Sequence, residues 1–173
     1  MDLYSSITEV IDLRSFSNLW FWIALAVMWS SVSHWVLGVP YDLIVRARRS
    51  GGQAETDLMD IVRINTNRML YIMDMSGAIL FAISCFVLTG LAISGFYYGV
   101  EFAQAVFLLM FPMSIVVMLY VATARRLQQI PKPDLVIRTL MRCRLYTQLI
   151  GMFSILVTAF WGMYQNFSLG PLG

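Results

Sequence analysis

MLYIMDMSGAILFAISCFVLTGLAISGFYYG, residues 69–99, is an apolar run in which Asp74 is the only formally charged residue. As a helix rising about 1.5 Å per residue, it exceeds the roughly 30 Å hydrocarbon core of a bilayer. It is therefore expected to be a transmembrane helix. Working outward, Leu19–Tyr41, Phe102–Ala124 and Leu145–Phe167 are apolar stretches of comparable length that carry no Lys, Arg, Asp or Glu. The expected fold class is all-α. It is a single-domain membrane bundle of four transmembrane helices, at about 19–41, 69–98, 102–124 and 145–167, with cytoplasmic helix extensions and a short N-terminal interfacial helix.

Composition agrees with this reading. Of 173 residues, 59% are hydrophobic and 13% charged, against about 25% charged in soluble domains, and the mean hydropathy is +0.71. A net charge of +2 is too small to draw the chain to nucleic acid. The two cysteines, Cys85 in the second span and Cys143 at the start of the fourth, differ in expected depth, so no disulfide framework or metal cluster follows. A single histidine, His34, excludes a bis-histidine haem within one copy. No cofactor is expected.

Met1-Asp2-Leu3-Tyr4 has neither the basic region nor the cleavage site of a secretory signal, so the first span is expected to be retained. Ser6 and Glu9 have capping-box spacing, and Ile7, Val10, Ile11 and Phe16 can share an apolar face. This segment is read as an interfacial helix, with a frayed tail as the alternative. Trp20 and Trp22 suit one membrane boundary and Trp35 and Tyr41 the other, with Pro40 bending the exit. Helical spacing resumes from Asp42 to Arg49 and stops at Ser50-Gly51-Gly52. Thr56 is the expected N-cap of the next helix, whose Leu58, Ile61 and Val62 form an apolar stripe ahead of the second span. That stripe needs a partner. Either it packs on the 42–49 extension and on Leu135–Met141, or it docks another protein.

Tyr97 and Tyr98 mark the far end of the second span, and the turn through Gly99-Val100-Glu101 makes spans two and three antiparallel neighbours. Gly90 with Ser94, and Gly95 with Gly99, are small residues four apart that permit close helix approach. Pro112 interrupts the third span, Pro131-Lys132-Pro133 separates the third helix from the fourth, and Asp134 is the expected N-cap of the last. The fourth helix finishes with Trp161 and Tyr164, before a Gly170-Pro171 tail read as unstructured.

Charge distribution sets the expected orientation. Arg46, Arg48, Arg49, Arg63 and Arg68 lie in one connection; Arg125, Arg126, Lys132, Arg138, Arg142 and Arg144 lie in the other; only Arg14 lies elsewhere. By the positive-inside rule both connections face the cytoplasm and both termini the periplasm.

Two sets of residues are candidates for function. His34 and Asp74 are the ionisable side chains expected inside the membrane, with Gln104 and Gln148 the main amides. His34 and Asp74 are expected to face each other, or a shared polar neighbour, on facing helices, either as a hydrogen-bonded packing pair or as part of a proton or ion route. Arg46, Arg48, Arg49, Arg125, Arg126, Arg142 and Arg144 form the candidate basic surface for anionic lipid or a partner protein. The twelve methionines suit core packing. No serine–histidine–acid set and no nucleophile elbow accompanies any serine, so no enzymatic activity is expected.

The runs Ile11-Asp12-Leu13-Arg14-Ser15-Phe16-Ser17-Asn18-Leu19-Trp20 and His34-Trp35-Val36-Leu37-Gly38-Val39-Pro40-Tyr41-Asp42, with Gly99-Val100-Glu101-Phe102-Ala103-Gln104 and Trp161-Gly162-Met163-Tyr164-Gln165-Asn166, carry a resemblance. Together they resemble a small alphaproteobacterial membrane-protein family described as a component of the SufBCD complex. The resemblance covers nearly the whole chain and implies a bacterial inner-membrane protein, without implying an activity or residue roles.

The leading functional expectation is a non-enzymatic accessory or scaffold protein of the bacterial inner membrane. It would present a basic cytoplasmic layer to a partner complex or anionic lipids, with self-association through small-residue faces. The alternative is a small oligomeric transporter or channel using Asp74 and His34.

Overall fold

The computed structural model describes Phe16 and residues 19–168. The expected interfacial helix and the C-terminal tail fall outside the described residues. The chain is built from helices joined by short turns: α1 (Leu19–His34), a two-stranded hairpin of β1 (Trp35–Val36) and β2 (Val39–Pro40), α2 (Tyr41–Ser50), α3 (Gln53–Ala92), α4 (Glu101–Leu127) and α5 (Pro133–Ser168). All-α architecture holds, and three helices are long and apolar enough to cross a membrane: Gln53–Tyr97, Glu101–Leu127 and Pro133–Phe167.

The first apolar stretch corrects the expectation of one helix from 19 to 41. α1 stops at His34, and its 16 residues span about 24 Å. Leu37 and Gly38 take φ values of 54° and 72°; successive positive φ values are what a two-residue hairpin of the I′ class requires. The pairing is Trp35 with Pro40 and Val36 with Val39. A leucine at positive φ costs about 1–2 kcal/mol, but Leu37 is only 4% exposed, and burying a leucine contributes about 1.5–3 kcal/mol. Burial therefore offsets the strain. Asn65 completes the turn by donating from Nδ2 to the Gly38 carbonyl at 3.1 Å, and Tyr120 Oη lies 3.2 Å from the Trp35 carbonyl. Pro40, at φ −67°, leads directly into α2.

α3 begins at Gln53, earlier than the Thr56 cap predicts. Gly51 and Gly52 both lie at positive φ and reverse the chain, so the helix can start at once. Thr56 Oγ1 instead donates back to the Gly52 carbonyl. With 40 residues α3 is about 60 Å long, and it ends in a π-helical turn, Ile93–Tyr97. Gly99 at φ 72° closes the connection to α4. α4 holds Pro112 buried within it. α5 opens at Pro133 with Asp134 in its first turn; proline suits the first helical position because its missing N–H would have no helical partner there.

The main core lies at the charged end of the molecule. Val36, Leu37 and Val39 of the hairpin, Leu43, Ile44 and Ala47 of α2, Leu58 and Val62 of α3, Ala124 and Leu127 of α4 and Val136, Ile137 and Leu140 of α5 form one buried cluster. The stripe ahead of the second span thus packs within the chain. Toward the opposite end, two smaller clusters seat Phe16 and Phe21 on Ala105, and Leu25 and Trp29 on Val116. Between these ends the middle of α3 is lightly covered: every residue from 78 to 86 is exposed, a run of more than two helical turns, so exposed side chains occur all round the helix.

Candidate interaction surface

Folding brings the two cation-rich connections to the same end. α2 and the start of α3 come from one, the end of α4 and the start of α5 from the other, and the shared apolar cluster locks them together. Arg46, Arg48 and Arg49 lie on α2, Arg125 and Arg126 in the last turn of α4, and Arg142 and Arg144 on the first half of α5. Cations suit the C-terminal turns of α2 and α4, where the helix dipole is negative.

These arginines have different surroundings. Arg46 shares a hollow with Asp42, Asp57 and Asp60, so acids balance its charge. Arg48 and Arg142, with Arg138, line a cavity of about 400 Å³ whose wall also holds Glu55 and Asp134. Arg126 and Arg142 line a larger one of about 700 Å³ between α4 and α5, beside the buried Cys143. Arg144 is the most restrained of them: its guanidinium carbon sits 3.5 Å from the centroid of the Tyr41 ring, and its Nε donates to the Ser33 carbonyl at 3.2 Å. A guanidinium over an aromatic face is attracted by the ring quadrupole, so Arg144 ties α5 to the end of α1 and the start of α2. Arg125 is exposed at the end of α4 and lines none of these hollows.

The expected meeting of His34 and Asp74 is not the contact made. His34 Nε2 lies 3.7 Å from Asp42 Oδ1, and both side chains are more than half exposed; the imidazole also stands edge-on to Trp35. Because α1 ends at His34 and the hairpin reverses the chain, the start of α2 brings Asp42 to it. Asp74 is exposed on α3. The buried stripe of that helix is Leu58, Val62, Thr66 and Leu70; a four-residue step advances 40° beyond a full turn, so by position 74 the row has rotated off the covered side.

The sequence marks Gln104 as an intramembrane amide but not as the best-satisfied polar group. Gln104 is 4% exposed, donates from Nε2 to the Gly95 carbonyl at 2.8 Å and accepts at Oε1 from Trp161 Nε1 at 2.9 Å and from Gln165 Nε2. It joins the π-helical turn, α4 and α5 at the end opposite the arginines. Nearby, Glu101 Oε1 accepts from the Phe16 backbone N–H at 2.7 Å. The signal available was a lone amide beside a tight turn in an otherwise apolar run, which buried polar satisfaction makes informative.

Comparison of the chain with protein-family models, with curated proteins and with solved structures found no match. Among the described residues, no three His, Cys, Asp or Glu side chains gather as a metal-holding group.

Proposed function

We propose that this chain is a non-enzymatic scaffold of the bacterial inner membrane, the setting its family resemblance implies. It has four spans, with both termini periplasmic and the arginine-rich layer cytoplasmic. The observation that carries the reading is the single packed layer formed by α2, the first turns of α3, the end of α4 and the start of α5. That layer collects eleven of the chain's twelve Lys and Arg residues in two connections. A layer with its own apolar core is a rigid platform for a partner complex or for lipid headgroups, whereas loops placed by topology alone need no such core.

The fourth span is α1. At about 24 Å it is shorter than the hydrocarbon core, and the hairpin and the Trp20–Trp22 and Trp35–Tyr41 belts bridge the mismatch at the two interfaces. The exposed middle of α3 supplies a lipid-facing or self-association surface. Transport is the weaker reading, since it needs His34 and Asp74 on one route and His34 faces Asp42 instead.

Affinity isolation of the full chain in mild detergent tests the proposal. A stoichiometric partner should co-purify with the wild type and be lost on Arg46→Glu with Arg49→Glu, at unchanged protein level. Recovery of a lone monomer from both, with the deletion phenotype rescued equally by either, overturns it.

A further inference from the structure

Between α2 and α5 lie two adjoining hollows, of about 390 Å³ and about 350 Å³, that share Tyr41 and Met141 as their common floor. Arg48 and Arg49 rim the first, and Arg142 and Arg144 the second. Neither hollow is lined by an Asp or Glu; Arg48, Met141 and Arg142 also border the neighbouring cavity that holds Glu55 and Asp134, which does not include Tyr41, Arg49 or Arg144. Among the described residues the ion pairs are those of His34 with Asp42 and of Arg63 with Asp60, so none of the four rim guanidiniums forms an ion pair with a described acid. Arg144 is held in place by Tyr41 and the Ser33 carbonyl, and Arg48 approaches the Met141 sulfur at 3.6 Å.

The second hollow also includes Leu145, and Leu145 begins an exposed apolar row on α5: Leu145, Leu149, Met152 and Leu156 are each about half exposed or more. Their spacing of four, three and four residues keeps them on one helix face. An anion-accepting rim therefore runs directly onto an apolar track. A free phosphate would satisfy the rim and leave the floor and the track uncovered. A phospholipid fills all three.

We propose that this groove is a binding site for an anionic phospholipid, whose phosphate lies between Arg48 and Arg142 and whose acyl chain follows the Leu145-to-Leu156 track. Guanidinium groups suit the task because their fixed fork of donors matches phosphate oxygens, and basic pockets beside membrane helices on the cytoplasmic side recognise such headgroups. The inference deepens the scaffold reading by naming the lipid class and its seat, and it depends on that reading only for placing this end at the bilayer surface.

The test is a thermal-stability titration of the full chain in neutral detergent, with phosphatidylglycerol, phosphatidylcholine and inorganic phosphate as separate probes. Phosphatidylglycerol should raise the melting temperature saturably, and the other two should not. Arg48→Gln with Arg142→Gln should weaken the apparent affinity on the order of tenfold or more. Arg125→Gln with Arg126→Gln, which removes the same charge outside the groove, should leave it unchanged. Met152→Glu, on an exposed position of the track, should weaken phosphatidylglycerol binding with the rim intact, so the proposal stays testable even if the double arginine variant melts early. An equal loss from the Arg125 and Arg126 pair would reduce the effect to diffuse surface charge and overturn the site, as would equal binding of phosphatidylcholine or of inorganic phosphate. Because the titration uses purified protein, its failure with partner capture intact removes the groove alone, and failed capture with the titration intact removes the partner alone.

Discussion

Gln104 shows how one polar side chain can fix the geometry of an apolar bundle. Its amide uses both its ends, donating to the Gly95 carbonyl and accepting from Trp161 and Gln165, and each partner comes from a neighbouring element. Gln104→Leu keeps the volume and strands the Gly95 carbonyl and the Trp161 N–H, and a buried group left without a partner costs about 1–3 kcal/mol. The expected outcome is a marked fall in melting temperature in detergent with no change in the arginine layer's accessibility, read by thermal denaturation and protease protection. Asp74 provides the contrast: exposed on α3 and without a described partner, it should tolerate Asp74→Asn without loss of stability, since the change removes a carboxylate from an apolar stretch and breaks no described contact. A loss of several degrees in the melting temperature of that variant would show that Asp74 has a partner in the folded protein.

At the scale of elements, the long helices were legible because each carries an unbroken apolar run, and so was the antiparallel pairing of α3 and α4, because the turn between them is short. The partner of the Leu58 stripe was legible too, since three amphipathic segments at one end must bury their faces somewhere. The end of α1 was not. Leu19–Tyr41 reads as a span by hydropathy, and only the Leu37-Gly38 turn, with Val36 and Val39 on either side, separates a hairpin from a helix; a leucine at positive φ is a tertiary outcome that no local preference announces. The pairing of His34 failed for the same reason, because it depended on where α1 stops. α1 packs tightly on α5 at Gly151, where an added Cβ would lie 2.7 Å from Trp29 Cε3. Gly151→Ala should therefore push α1 outward and destabilise the fold by about 1–3 kcal/mol, as overpacking does. In a background that keeps Trp29 and replaces the other four tryptophans with Phe, quenching of its fluorescence by a lipid-soluble quencher should rise in that variant. Unchanged quenching and stability would mean that α1 is not seated on α5 there.

The whole molecule is polarised: the arginine layer and its core occupy one end, while Gln104, Trp161 and the Gly99 turn occupy the other. Cytoplasmic placement of basic connections is a strong determinant of membrane orientation, and here both connections meet in one packed layer, so they must lie on the same side. A reversed molecule would carry eleven of its twelve cations across the membrane. Single-cysteine labelling of intact cells decides the matter, in a background carrying Cys85→Ala and Cys143→Ala. Gln53→Cys, at the exposed start of α3, and Gln129→Cys, in the exposed turn after α4, should resist an impermeant thiol reagent until the membrane is opened, and Tyr98→Cys, at an exposed position of the opposite end, should react at once. Labelling of positions 53 and 129 from outside would invert the molecule and remove the cytoplasmic scaffold with it. Labelling of one and not the other would separate two segments that the apolar cluster joins, and would contradict the fold itself.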